Sequence, residues 1–439
     1  MSKVTTPTIL VIVGITGDLA KRMLLPAIEK IAHAGMLPDD FRMIGVSRRD
    51  VPVDEIVSND QHFVREHLDM VHMDLESEAS YRELSKQLDE ISASFSAPAQ
   101  RLFYLSVPPE VSSPIIEHLG NSGLADVENT KLLLEKPFGI DLESAHDLVA
   151  HIEKYFSEHM VYRIDHFMAK EMAQNIVVFR SGNSLFKRTW NKDFIKSIHI
   201  IASETLDIEG RTTLYEQTGA LRDLVQSHLM QLAALTLMEL PQVGQWQDIP
   251  AKRLKALRTV QPPKDLSTDV TRAQYEGYRS EVNNEQSTVE TFASLTLEST
   301  APQWQGVPIT LTTGKALKDK FTEIRIHYTQ ENDEREANEL TIRINPDESI
   351  SFCIWTKKPG YDHTPELTPM NFVYAEHFDD LPDAYEKVFV DAMNSDHSLF
   401  TTSGEVLESW RILKPVQEHW HSQADIASYD KGVPYNMVS

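Results

Sequence analysis

Thr8-Ile9-Leu10-Val11-Ile12-Val13 is an unbroken apolar, largely β-branched run that stops at Gly14, which is how a strand buried on both faces of a parallel sheet reads. A helix is predicted next, over 18–33. Further apolar runs at 41–46, 101–107 and 131–135 alternate with helical stretches, so this half of the chain predicts a doubly wound α/β domain. From about residue 195 the texture changes. Segments 195–201, 290–297, 324–328 and 340–344 alternate apolar with polar positions, predicting an α+β domain whose mainly antiparallel sheet turns one face to solvent or a partner. Leu221, Leu224, Val225, Leu229 and Leu232 keep helical spacing, and His228 falls on their apolar side. The boundary is placed near Asp165, dividing the chain into 1–165 and 166–439, and 331–339 reads as a charged hairpin or loop. No internal repeat or low-complexity segment stands out.

Composition narrows the function class. The chain has 439 residues, 41% hydrophobic and 25% charged, with room for two ordinary globular domains. A net charge of -24 repels phosphate backbones and anionic headgroups, so neither nucleic acid nor a membrane surface is an expected partner. An anionic small substrate would need a local basic pocket. The single cysteine, Cys353, sits in an apolar run, forms no internal disulfide and suits a reducing cytoplasm. The apolar run near the N-terminus is far shorter than the roughly 20 residues that span a bilayer, so no anchoring is expected.

Gly14-Ile15-Thr16-Gly17-Asp18-Leu19-Ala20 follows the first strand and opens the helix, a position from which backbone N–H groups reach a pyrophosphate. Its Gly-x-x-Gly-x-x-Ala spacing departs from the usual dinucleotide fingerprint, and by spacing alone it is equally a tight turn. Ser47-Arg48-Arg49 ends the second strand, where an NAD enzyme usually places an acid. Two guanidinium groups there favour a 2′-phosphate, while Asp50 leaves room for NAD. Glu135-Lys136-Pro137-Phe138-Gly139 ends a strand at the carboxyl edge, where Lys136 is placed to bridge substrate and cofactor or is simply a surface lysine before a turn. Tyr162-Arg163-Ile164-Asp165-His166-Phe167-Met168-Ala169-Lys170-Glu171 gathers a carboxylate, an imidazole and an ammonium, and a helix there would put His166 and Lys170 on one face. Periodicity alone makes His228 a core histidine.

That ten-residue segment resembles the Arg-Ile-Asp-His-Tyr-x-x-Lys-Glu signature of the glucose-6-phosphate dehydrogenase family. Gly-x-x-Gly-Asp-Leu-Ala at 14–20, Arg-Asp-x-x-Gln-x-His-Leu at 222–229 and Gly-Lys-x-Leu-x-x-Lys at 314–320 are similar to further motifs of the same family. The resemblance covers nearly the whole chain, including Asp383-Ala384-Tyr385-Glu386. It implies a Rossmann-like N-terminal domain and oxidation of glucose 6-phosphate at C1 to 6-phosphoglucono-1,5-lactone with NADP, the entry to the pentose phosphate pathway. It makes His228 the general base and Asp165 the carboxylate that holds it. It places His166 and Lys170 on the phosphate, Glu204 and Asp223 on sugar hydroxyls, and Lys136, Lys315 and Lys320 against the substrate. Gly14, Thr16, Gly17, Asp18, Leu19, Ser47, Arg48, Arg49, Ser106, Pro108 and Lys136 would then line the cofactor, NADP or NAD, with no metal, in a homodimer or homotetramer.

Four positions depart from the pattern. The family usually has Lys at Met23, Arg or His at Ile140, Tyr at Phe167 and Asn at Ser227. Phe167 lacks a hydroxyl whose charged hydrogen bond would be worth about 1.5–3 kcal/mol. Two other readings therefore stand beside the main one: a dehydrogenase of another hexose or hexose phosphate, and a catalytically weak NADP-binding regulatory homologue.

Overall fold

The computed structural model describes residues 3–242, 244–330, 336–378 and 381–438, and the chain divides into two compact units. Residues 331–335 of the charged hairpin or loop read from the sequence lie outside the described residues.

The first unit comprises Met1–Gly139, Glu143–Ala169 and, from far along the chain, Pro382–Ser403. Its sheet holds β1 (Thr8–Val13), β2 (Phe41–Ser47), β3 (Leu68–His72), β4 (Gln100–Leu105), β5 (Thr130–Leu134) and β6 (Val161–Arg163). The order is β3-β2-β1-β4-β5-β6, and every neighbouring pair is parallel. The winding reverses between β1 and β4, so the loops after these strands open the crevice where ligands lie in such sheets. All residues of β1, β4 and β5 are buried, the cost of whose polar backbone is met by the ladders on both sides. Helix Leu25–His33 and helix Ala384–Met393 close the same core through Ile28, Ile31, Val388 and Phe389. Lys131 donates to the carbonyls of Ala392 (2.6 Å) and Met393 (3.2 Å), and Gln100 donates to Met393 (3.0 Å). These donors satisfy the last carbonyls of that helix at its negative end.

The second unit comprises Ile140–Leu142, Lys170–Leu381 and Gly404–Ser439. Its ten strands are β7 (Ile195–Ser203), β8 (Val260–Gln261), β9 (Val270–Tyr275), β10 (Phe292–Ser299), β11 (Ile309–Gly314), β12 (Phe321–Tyr328), β13 (Glu339–Asn345), β14 (Ser349–Lys357), β15 (Pro365–Val373) and β16 (Ala427–Tyr429). Nine run in the order β15-β14-β13-β12-β7-β11-β10-β9-β16, with β8 beside β10. Pairing is antiparallel except for β7 with β11 and β9 with β16. Ile198 pairs with Ile326 and Ile200 with Ile324 on the buried face, while His199 and Arg325 alternate onto the other. The mainly antiparallel sheet read from the alternation is present.

Two local expectations meet a different structure. The segment 166–170 is turn rather than helix, and the helix begins at Glu171. Asp165 Oδ1 accepts the Phe167 N–H (3.0 Å) and its carbonyl accepts the Met168 N–H (3.0 Å), local bonds that compete with helix propagation. His166 and Lys170 therefore share no helix face. The expected helix around His228 is π-helical over Leu221–Leu229 before Met230–Leu237 continues as α-helix, and apart from the half-buried Arg222 and Asp223 it is buried all round, Gln226, Ser227 and Gln231 included.

Candidate functional site

In the first unit the parallel ladders deliver the glycine turn. Gly14 N–H donates to the Val46 carbonyl (3.1 Å) at the end of β2, and Ser106 N–H donates to the Val13 carbonyl (2.9 Å). The ends of β1, β2 and β4 are thereby aligned. Gly14 has φ +88°, and a Cβ there would stand 2.3 Å from the Ser106 carbonyl oxygen, so the position excludes every side chain. Gly17 N–H closes the turn on the Gly14 carbonyl (3.0 Å). Thr16, Leu19 and Ser106 are half-buried around it, and Asp18 and Pro108 are exposed. Ser47 is buried, its hydroxyl accepting the Arg49 N–H (3.0 Å), while Arg48 and Arg49 project into solvent beyond β2. A backbone cradle emptied of Cβ atoms, with two cations at the neighbouring strand end, fits a dinucleotide phosphate.

One step further along the same edge, Glu135 and Lys136 follow β5, and Asp165 and His166 follow β6. Asp165 is 5% exposed. Arg163, at 1% exposure, anchors β6 through its Nη1, which donates to both carboxylate oxygens of Glu158 (2.9 and 3.0 Å) and so fixes the strand that presents Asp165. Glu135 accepts hydrogen bonds from the phenols of Tyr104 and Tyr385. Sequence reading passed over both tyrosines as site residues, because no spacing rule connects them with Glu135; only the Asp-Ala-Tyr-Glu run around Tyr385 signalled anything there.

The second unit carries its own cluster. Gly219, at φ +61°, breaks the helix Thr212–Ala220, and a Cβ there would stand 2.5 Å from Glu290 Oε1. Glu290 accepts the N–H groups of Ala220 and Leu221 (both 2.9 Å), capping the start of the π-helical segment. Burial raises the pKa of that carboxyl. The segment carries Asp223 and His228, the latter 1% exposed. Lys315, 4% exposed, pairs with Glu204, lies 3.6 Å from Asp223 Oδ2 and sits over the Tyr215 ring at 5.3 Å. Backbone bonds on both sides of Glu204 hold this triad: its N–H donates to the Gly314 carbonyl (3.0 Å) and its carbonyl accepts the Leu317 N–H (2.9 Å). Lys320 is exposed beyond the cluster, and Lys170 stands half-buried at the start of helix Glu171–Gly182. A buried ammonium between two carboxylates makes a polar, oriented floor suited to hydroxyl groups. No group of three or more His, Cys, Asp or Glu placed to hold a metal ion occurs among the described residues.

Comparison with known proteins places this arrangement. Residues 11–175 match the glucose-6-phosphate dehydrogenase NAD binding domain, and residues 177–435 match the glucose-6-phosphate dehydrogenase C-terminal domain. A glucose-6-phosphate 1-dehydrogenase 2 of Mycobacterium tuberculosis (strain ATCC 25618 / H37Rv) is 32% identical over 98% of this chain and 92% of its own. The glucose-6-phosphate 1-dehydrogenase of Chlamydia muridarum is 34% identical over 94% of this chain and 90% of its own. A solved glucose-6-phosphate dehydrogenase in complex with its substrate glucose-6-phosphate superposes with a TM-score of 0.92 at 28% identity, covering 99% of this chain and 96% of the other. With both of its halves matched and its fold shared from end to end, the chain belongs to the glucose-6-phosphate dehydrogenase family.

Proposed function

We propose that the protein oxidises glucose 6-phosphate at C1 to 6-phosphoglucono-1,5-lactone with NADP as hydride acceptor. The observation that carries this reading is the end-to-end likeness to glucose-6-phosphate dehydrogenases, in which both domains are matched and the chain retains Asp165, His166, Lys170 and His228 together. Held by the glycine turn at Gly14–Gly17 with Arg48 and Arg49 at the neighbouring strand end, the nicotinamide cofactor would supply the acceptor for the hydride of C1. His228 takes the proton of the 1-hydroxyl, so the C1–O bond becomes a carbonyl as the C1–H bond breaks. Asp165 orients the imidazole and stabilises it once protonated, a role that suits a nearly buried carboxylate at the end of a strand braced by Arg163. His166 and Lys170 hold the phosphate, Glu204 and Asp223 receive sugar hydroxyls, and Lys315 and Lys320 supply further cationic contacts. Lys136, which follows β5 at the carboxyl edge, would bridge substrate and cofactor.

Preference for NADP over NAD rests on Arg48 and Arg49, exposed at the end of β2 where a 2′-phosphate would lie. The working unit is a homodimer, or a tetramer made of two: along β14 neither face is buried, and Met370 of β15 is 60% exposed, so this end of the sheet wants a covering partner. Its compartment is the reducing cytoplasm, in keeping with the unpaired Cys353. One nicotinamide reduced per glucose 6-phosphate consumed, with release of an acid as the lactone hydrolyses, is the expected stoichiometry. Absence of nicotinamide reduction with that substrate overturns the reading.

A further inference from the structure

Glu135 is a carboxylate that the proposed reaction leaves unused. It stands directly after β5 and before Lys136, half-buried at the carboxyl edge of the first sheet. Two phenols converge on its Oε1: Tyr104, fully buried in β4, and Tyr385, from the first turn of helix Ala384–Met393, at 3.2 Å. Burial keeps both phenols well above their ordinary titration range, so each remains a donor at working pH. Tyr104 also lies two residues before Ser106, whose carbonyl closes the glycine cradle. One carboxylate thus ties the cofactor-side strand, the returning segment and the strand that presents Lys136.

A satisfied interior acid that merely holds three elements together would look similar. What separates Glu135 from that case is the identity of its charged neighbours. Burial raises its pKa, the phenols of Tyr104 and Tyr385 and the Lys136 ammonium lower it, and Asp165 raises it. Two of those four groups belong to the proposed chemistry, and the β5–β6 register, which pairs Leu134 with Arg163, sets Glu135, Lys136 and Asp165 at neighbouring positions just beyond the two strand ends.

We propose that Glu135 is a positioning residue of the reaction: its carboxylate, clamped by Tyr104 and Tyr385, sets the charge felt by Lys136 and Asp165 and thereby shapes the acid limb of turnover. This rests on the dehydrogenase reading above. With Glu135 ionised, the added negative charge strengthens the hold of Asp165 on a protonated imidazole; with Glu135 neutral, that support is lost.

The test is the pH profile of kcat for the full-length protein with glucose 6-phosphate and NADP, for the parent, Glu135→Gln and Tyr385→Phe. Tyr385→Phe keeps the ring and removes one donor, so Glu135 stays protonated to higher pH and the acid limb moves upward. Turnover at pH 6 falls about 3- to 10-fold while that at pH 9 stays within about twofold. Glu135→Gln keeps the shape and removes the charge, so the plateau falls about tenfold and the acid limb moves downward, with both KM values within about threefold. Tyr104→Phe repeats the first test from a different strand should Tyr385→Phe fail to fold. Shifts in opposite directions support the assignment, since a purely structural clamp lowers stability without splitting the profiles. An active parent whose variants superimpose on it, or shift the same way, overturns the inference alone. An inactive parent overturns the dehydrogenase reading on which the inference stands.

Discussion

At the scale of single residues, chemistry and conformation separate cleanly. Replacing His228 with Asn should lower kcat on the order of 10²–10⁴-fold with little change in KM, the usual share of a general base, and steady-state kinetics reads both. Lys170→Ala should instead raise KM for the phosphosugar most, because it removes binding rather than proton transfer. Gly14→Ala tests the cradle. A Cβ would meet the Ser106 carbonyl at 2.3 Å with φ at +88°, so the variant should lose about 1–3 kcal/mol of stability and most of its dinucleotide affinity, measured by thermal unfolding and by titration. The turn at Gly14 and the position of Arg48 and Arg49 just past β2 were legible in the sequence because an apolar run marks where a strand ends and a left-handed turn demands glycine. The clamp of Tyr104 and Tyr385 on Glu135 was not, since a hydrogen bond between segments far apart in the chain leaves no periodic trace.

At the scale of elements, apolar runs located β1, β2, β4 and β5 to within a residue or two, with β1 matching at both ends, while the short β3 and β6 went unread. The alternating runs did the same for β7, β10 and β13, and missed the first three residues of β12. Turn chemistry decided what periodicity missed: Asp165 captures the Phe167 N–H and stops a helix that the spacing of His166 and Lys170 permits. The π-helical register of Leu221–Leu229 is likewise invisible to a 3.6-residue pattern, because its bonds skip one residue further. Helix Ala384–Met393 offers a stability test. Burial pushes Asp391 up to about 7, with Asp396 pushing the same way and Lys387 opposing. Its folded-state pKa lies above its unfolded value, so the folded state binds more protons between roughly pH 4 and 7, and stability conferred by the neutral acid is lost as pH rises through that window. Asp391→Asn should flatten this decline, which follows about 1.4 kcal/mol per pH unit at most, in urea unfolding at pH 4.5 and 7. An unchanged slope would mean that Asp391 does not titrate in that window.

At the scale of the whole molecule, the net charge of -24 means that an anionic substrate would need locally placed cations, the role proposed for Lys136, Lys170 and Lys315. The change in texture near residue 195 signals the sheet-rich part of the chain, and against a single boundary near Asp165 the two compact units exchange chain at 139–143, 169–170, 381–382 and 403–404. The return of Pro382–Ser403 to the first unit was not legible, because its apolar spacing names no partner sheet. The open end of the large sheet predicts self-association: sedimentation should give twice the monomer mass of 49.9 kDa or a multiple of it, and Met370→Lys should shift the equilibrium toward monomer. The most direct measurement of the central claim is the initial rate of nicotinamide reduction by the purified protein, crossing glucose 6-phosphate and glucose with NADP and NAD. The account predicts fastest turnover for glucose 6-phosphate with NADP, and no reduction with any of the four pairs would contradict it.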